Sequence, residues 1–391
     1  LGAETTGGKN TAIGRAALAA QNVTSDAYNV AVGYDAGTLV STGVQNTIVG
    51  GLAGDALTTG GENTAIGYEA LSGEDTGSRN IAIGWRALKS LNYDGLGHNI
   101  GIGYEAGAVI STGRYNIVVG NLAGDNLTTG SENIAIGYAA LSTEDGNGKN
   151  IAIGNNALED LNAGADAYNI AIGHDTGRNI STGLRNTLIG GLAGDALTTG
   201  AYNTVVGMQA LSAEDAHGGN VAIGYNALTT QNAGTDAYNI AVGFKAGESV
   251  STGVKNILIG GIAGDALTTG NYNVAIGYQA LTTEDGHSGN VAVGYQTLMG
   301  QNAGADAYNV AVGYNAGLYV TTGTANTIIG SFAGDALTTG ARNTVLGYGA
   351  LSGEDSYGRN VAIGYEALKD LNAGADAYNV AIGYAAGENI S

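Results

Sequence analysis

Residues 63–71 read Asn63-Thr64-Ala65-Ile66-Gly67-Tyr68-Glu69-Ala70-Leu71. The first five, an Asn, three mostly apolar residues and a Gly, decide how the rest of the chain is read. The same unit begins at Asn10, Asn29, Asn46, Asn80 and Asn99 and continues to Asn379, giving 22 copies that all keep the Asn and the Gly. Successive copies are spaced by 19, 17, 17 and 17 residues before the cycle restarts, so the chain carries a 70-residue super-repeat. Self-similarity at a short fixed period marks stacked repeat architectures, in which one unit cannot bury its apolar face alone.

The four copies of a super-repeat differ in a constant way. One runs from Tyr28-Asn29-Val30-Ala31-Val32-Gly33-Tyr34 to Ser41-Thr42-Gly43; the next runs from Asn46 through Leu52-Ala53-Gly54-Asp55 to Thr58-Thr59-Gly60. The third, from Asn63, carries Glu74-Asp75 in its second half, and the fourth, from Asn80 through Trp85-Arg86-Ala87-Leu88, has two extra residues before Asn99. An apolar run this short, closed by an obligatory Gly, is a strand and not a helix. The fold class that follows is all-β: a parallel β-solenoid in one continuous repeat domain over 1–391, built of 17/17/17/19-residue coils.

Side chains alternate along a strand, so the first and third residues after each Asn share a face. The third is always Ile, Val or Leu, as in Ile13, Val32, Val49, Ile66 and Ile83, and the first is Thr, Ile or Val. This face is read as the solenoid interior, with Leu71 and Leu88, or Val40 and Leu57, as a second anchor in each coil. The intervening residue, usually Ala (Ala12, Ala31, Ala65, Ala82), falls on the other side with the Asn and the Gly. A stripe that small admits a neighbouring backbone, and three chains are expected to wrap together along it as a homotrimer. Coils about 4.8 Å apart would place like coils about 19 Å apart and make a rod of roughly 100 Å. The Gly is expected to form a tight turn, and the Asn a ladder whose amides bond along the stack or cap the turn.

Composition narrows the function. Sixty-nine Gly without a Gly-X-Y period exclude collagen, and 44% hydrophobic residues exclude a disordered tail. Thirty-four acidic against 14 basic residues give a net charge of −20, which repels phosphate backbones and anionic lipid; nucleic acid is excluded as a partner. No apolar run approaches the length of a membrane span, so no membrane insertion is expected. With no Cys there is no disulfide framework. Glu388-Asn389-Ile390-Ser391 matches Arg178-Asn179-Ile180-Ser181, where the chain runs on, so the sequence reads as a window cut from a longer fibre.

The stretch Thr58-Thr59-Gly60-Gly61-Glu62-Asn63-Thr64-Ala65-Ile66-Gly67 resembles the 17-residue repeats of phage tail fibres, often found ahead of an endosialidase-type chaperone domain. It also resembles, with longer coils, the head repeats of trimeric autotransporter adhesins. The resemblance covers the whole chain. It implies a left-handed, homotrimeric β-roll, extracellular on a virion or a bacterial surface, that attaches to a host receptor or glycan. The 70-residue super-period and the 19-residue coil depart from the simple pattern.

Site-like motifs have repeat explanations. Gly101-Ile102-Gly103-Tyr104-Glu105-Ala106 mimics a dinucleotide fingerprint without a βαβ context. Of His98, His174, His217 and His287, only the last two share a phase, and no metal-ligating cluster is assigned. Neither a nucleophile–base pair nor a unique carboxylate pair emerges, so no catalytic residue, cofactor or enzymatic activity is expected. Three acidic rows recur: Glu74-Asp75 with its four equivalents (Glu144-Asp145, Glu214-Asp215, Glu284-Asp285, Glu354-Asp355); Asp26, Asp166, Asp236, Asp306 and Asp376; and Asp55, Asp125, Asp195, Asp265 and Asp335. Hard oxygen ligands in recurring loops leave calcium as the one cofactor to consider. The alternative to a fibre is therefore a ligand-binding β-roll, loaded with calcium or adsorbing ice or glycan. Thr58-Thr59 pairs suggest an ice face but occur in two coil types only, and rows of Tyr are candidates for receptor contact.

Overall fold

A computed structural model describes residues 8–390; the terminal residues 1–7 and 391, including the Ser391 compared above with Ser181, lie outside the described part. All 22 Asn-to-Gly units are strands of three residues, each starting directly after its Asn. By internal contacts the chain forms two units, 1–199 and 200–391. The first holds β1 (Thr11–Ile13) to β11 (Thr187–Ile189), the second β12 (Thr204–Val206) to β22 (Val380–Ile382). Within each unit successive strands pair parallel and in register, Thr47 with Thr64, Ile48 with Ala65 and Val49 with Ile66 in one, Ile257 with Val274, Leu258 with Ala275 and Ile259 with Ile276 in the other. The two extra residues of the 19-residue coil are absorbed in its loop, since the register on either side is unchanged (Thr11 with Val30, Val221 with Ile240). Among the described residues, no helix is long and apolar enough to cross a membrane.

The interior is the reverse of the side expected. The middle strand residue points inward: Ala31, Ile48, Ala65, Ala82 and Val118 are fully buried. The first and third residues point outward and stay partly exposed, Ile259 at 37% and Leu346 at 44%. Side chains alternate along the strand as expected, but the Asn decides which side is inside. From Asn29 to Asn360 every one of these Asn is buried, and in the 17-residue coils its amide spans the coil. The Oδ1 of Asn46 accepts the backbone N–H of Asn63 in the next coil at 3.0 Å, while its Nδ2 donates to the Gly60 carbonyl at 3.0 Å. Those two bonds are strong only where water is excluded, so the residue two places on, sharing the side of the Asn, must also be inside. The narrow interior left beside the amide suits Ala.

The opposite wall is made by the arc after the Gly. The buried Ala53, Ala70 and Ala87 lie there, and the expected second anchors Val40, Leu57, Leu71 and Leu88 are fully buried. Their alternating position has a steric cause. The fourth residue after the strand Gly has positive φ in every type: Leu71 (54°) and Leu88 (48°) in two of them, Gly37 (56°) and Gly54 (49°) in the others. A Cβ on Gly54 would lie 2.9 Å from Leu57 Cδ1. One core slot is thus filled either by Leu at that position or, over a Gly, by the aliphatic three residues later. The arc also stacks: Gly54 N–H donates to the Ala70 carbonyl and Leu71 N–H to the Ala87 carbonyl, at 2.9 and 3.0 Å.

The strand Gly is obligatory for a reason beyond a tight turn. Gly50 has φ 137°, a conformation nearly closed to other residues, and a Cβ there would come 2.5 Å from the carbonyl oxygen of Gly67 in the next coil. The glycines form a column with backbone packed on backbone.

Candidate interaction surface

With the small residues inside, each unit presents an outward strand face made only of Thr, Val, Ile and Leu. In the second unit its third-position row runs from Val206 through Ile223, Val242, Ile259 and Ile276 to Ile382, and no charged residue interrupts it. The in-register ladder sets adjacent rows one strand spacing, about 4.8 Å, apart, producing a continuous and mostly β-branched surface. The Ala stripe proposed as the meeting place of three chains is buried and cannot serve as one.

Aromatic rings line the edge that follows the Gly. In the second unit Tyr278, Tyr295, Tyr314, Phe332, Tyr348, Tyr365 and Tyr384 form an unbroken series, with successive centroids 5.0–5.8 Å apart. In the first unit Trp85 stacks on Tyr104 at 4.8 Å under the Arg86 guanidinium, whereas Gly51, Asn121 and Asn155 occupy equivalent positions. The other edge carries the residue before each Asn. There a cation bridges coils: Lys149 Nζ lies 2.7 Å from Asp166 and 3.1 Å from the Tyr168 hydroxyl, and Lys9 does the same with Asp26 and Tyr28. Arg359 pairs likewise with Asp376 and Tyr378. Hydrogen bonding to Asp166 holds Lys149 above the usual lysine range and lowers Asp166 below the usual carboxylate range.

The acidic rows do three different things. Asp166, Asp236, Asp306 and Asp376 also accept a backbone N–H one coil away, Gly148 onto Asp166 at 3.1 Å and Gly358 onto Asp376 at 3.0 Å, and so pin the long loop. The Glu of each Glu–Asp pair is fully buried and caps its own turn; Glu74 Oε1 accepts from Gly77 N–H at 2.7 Å. Burial pushes Glu74 and Glu214 above the usual range. In the third row Oδ1 of Asp55, Asp125, Asp195, Asp265 and Asp335 is buried without a partner among the described residues, and burial raises all five, Asp265 to about 6. These five recur 70 residues apart, one per super-repeat, too far apart to share an ion. The Thr-Thr pairs are likewise occupied, Thr58 Oγ1 donating to the Asp75 carbonyl at 3.0 Å.

His98 stacks on Tyr115 at 5.4 Å, and His174 lies 3.0 Å from Asp175. His217 and His287 do not approach one another; each turns onto the Glu–Asp pair of its own loop, Nδ1 lying 3.4 Å from Glu214 Oε1 and 2.9 Å from Glu284 Oε1. Their shared offset of three residues from the Glu is visible in the sequence; that the turn brings each ring back onto its own acidic pair is not. Comparison of the chain with family models, curated proteins and solved structures finds no match.

Proposed function

We propose that this chain is a structural and adhesive segment of an extracellular fibre, of the kind carried by phage tails or bacterial surfaces, and that copies of it associate through the outward strand face. The observation that carries the reading is that face itself: an uncharged band of Thr, Val, Ile and Leu bordered by aromatic rings. Monomeric soluble proteins rarely leave a continuous apolar surface of this kind uncovered. A second copy covers it best, because a band that repeats at one strand spacing matches the same band on another copy in period and in chemistry.

The homotrimer implied by the tail-fibre and adhesin resemblance is retained as the assembly, with the strand face replacing the Ala stripe as its interface. The exposed tyrosines on the two borders are the groups we assign to a host receptor or glycan, since aromatic faces combine apolar contact with a polar tip. A roll loaded with calcium or adsorbing ice has less support, because the acidic rows serve as loop pins, turn caps and solitary carboxylates, and the threonine hydroxyls are used along the stack.

Sedimentation equilibrium of the full chain tests the assembly. Wild type is expected to run as a trimer at micromolar concentration, and the pair Ile223→Lys and Ile259→Lys as a monomer with an unchanged far-ultraviolet circular dichroism spectrum. A wild-type chain that sediments as a monomer would sink the proposal.

A further inference from the structure

The loop that follows the third strand type occurs five times, and two copies differ from the others in chemistry. Three residues after the buried Glu stand Gly77, Asn147, His217, His287 and Tyr357. In all five the backbone N–H of that residue donates to the Glu Oε1, at 2.7–3.2 Å. The turn therefore forms whatever the side chain is, and imidazole is not needed to build it.

In the two histidine loops the ring turns back onto the acidic pair. One imidazole nitrogen and two carboxylate oxygens, from Glu214, Asp215 and His217 and again from Glu284, Asp285 and His287, lie within 4.8 Å of one another. His287 Nδ1 is 2.9 Å from Glu284 Oε1 and 3.8 Å from Asp285 Oδ1, and His217 Nδ1 is 3.4 Å from Glu214 Oε1. Tetrahedral zinc with ligand bonds of about 2.0–2.1 Å requires donors about 3.3 Å apart, which these separations bracket.

Two further observations single out these loops as a place for a cation. Glu284 is fully buried, yet its Oε2 makes no hydrogen bond among the described residues, whereas Glu214 Oε2 accepts the Ala233 N–H at 3.5 Å. In the Glu214 loop it is His217 Nδ1, facing Glu214 Oε1 at 3.4 Å, that is buried without a hydrogen bond among the described residues. The fixed cation of the other loops is also absent here. Where Lys9, Lys149 and Arg359 pair with Asp26, Asp166 and Asp376, the histidine loops have Gly219 and Gly289. Asp236 and Asp306 have no ion pair among the described residues; they accept backbone N–H groups, from Gly218 and Ser288 at 2.9 Å, and Asp306 Oδ2 also accepts the Tyr308 hydroxyl at 3.4 Å. The two loops that acquire a metal-ligating side chain are the two that lack the neighbouring positive charge.

We propose that these loops are two equivalent sites for a divalent cation of the zinc class, each bound by one imidazole and two carboxylates with the remaining positions open to solvent. A single nitrogen donor with two oxygens suits zinc better than calcium, which takes six to eight oxygens.

Isothermal titration of the full chain with zinc chloride tests this, beside the single variant His287→Asn and the double variant His217→Asn with His287→Asn. Asn is the natural residue at the equivalent position 147, where its Nδ2 donates to Glu144 Oε1 at 3.1 Å, so the fold is kept, as circular dichroism will verify. Two equivalents are expected for wild type, one for the single variant and none for the double. Absence of zinc binding by wild type, or a stoichiometry unchanged in the double variant, would overturn the assignment.

Discussion

The repeated Asn carries more of this fold than its size suggests, because one amide serves two coils. Asn256 accepts the Asn273 N–H at 2.9 Å and donates to the Gly270 carbonyl at 2.8 Å. Asn290, in the 19-residue coil, accepts the Asn309 N–H at 3.2 Å, but its Nδ2, like those of Asn220 and Asn360 in the same coil type, has no partner among the described residues. Asn256→Ala is therefore expected to cost about 2–6 kcal/mol and Asn290→Ala about 1–3 kcal/mol, since each orphaned buried group costs about 1–3 kcal/mol. Thermal midpoints and amide protection in the adjoining coils measure the difference; equal losses would contradict the account. Asp265 behaves in the opposite sense. Its folded-state value of about 6 exceeds the ordinary 3.8, so the folded chain binds the proton more tightly than the unfolded one. Its contribution to stability is complete below about pH 4 and is lost as pH rises through 6. Asp265→Asn should raise the melting temperature at pH 7.5 and reduce the gain seen in wild type on acidification from pH 7 to 5. A variant whose melting temperature follows wild type across that range would refute this.

At the scale of the coil, the strand is the smaller part of the structure. Three strand residues are followed by an arc in which non-glycine residues repeatedly adopt left-handed backbone angles, as at Glu69, Leu71, Arg86 and Leu88. Such angles are costly for side chains with a Cβ and persist because the coils above and below hold them in place. Glycine is essential at only some of its positions. Gly50→Ala combines φ 137° with overlap of the Gly67 carbonyl and should cost about 3 kcal/mol or more. Gly164 has φ 68° and no atom within 4 Å of a built Cβ, so Gly164→Ala should cost only the backbone term, about 1–2 kcal/mol. Chemical denaturation of both variants checks the order, and a reversal would show that the column of stacked glycines is not what excludes the side chain.

For the whole molecule, the net charge of −20 opposes assembly while the strand face promotes it. Raising salt shortens the reach of the charge, to about 10 Å at 0.1 M, and leaves apolar contact intact. The association seen by sedimentation should therefore tighten between 20 mM and 300 mM salt, taken here as roughly low and physiological-to-high screening. Weakening with salt would point to charge pairing as the glue. The cation–aspartate–tyrosine contacts on one border and the stacked rings on the other leave the band between them free of charge, which is why a Lys at position 259 is the sharper probe.

Strand positions, the stacking of repeats, the buried second anchors and the Asn ladder were all legible in the sequence. They follow from spacing, alternation and the hydrogen-bonding capacity of an invariant amide, and these properties are local. Which face of the strand is inside was not legible. Alternation groups Val30 with Val32 and Asn29 with Ala31, but does not say which group meets the arc across the coil. That depends on where the Asn29 amide finds its partners, the Gln21 and Gly43 oxygens at 2.7 and 2.8 Å, eight residues before it and fourteen after it. The same holds for His217 and His287: their separation of 70 residues argues against a shared site, whereas the turn capped by the buried Glu brings each ring onto its own acidic pair. Sequence period determined the repeat and its strands; only the closed coil, through contacts between residues many positions apart, decided which side chains are enclosed and which are presented.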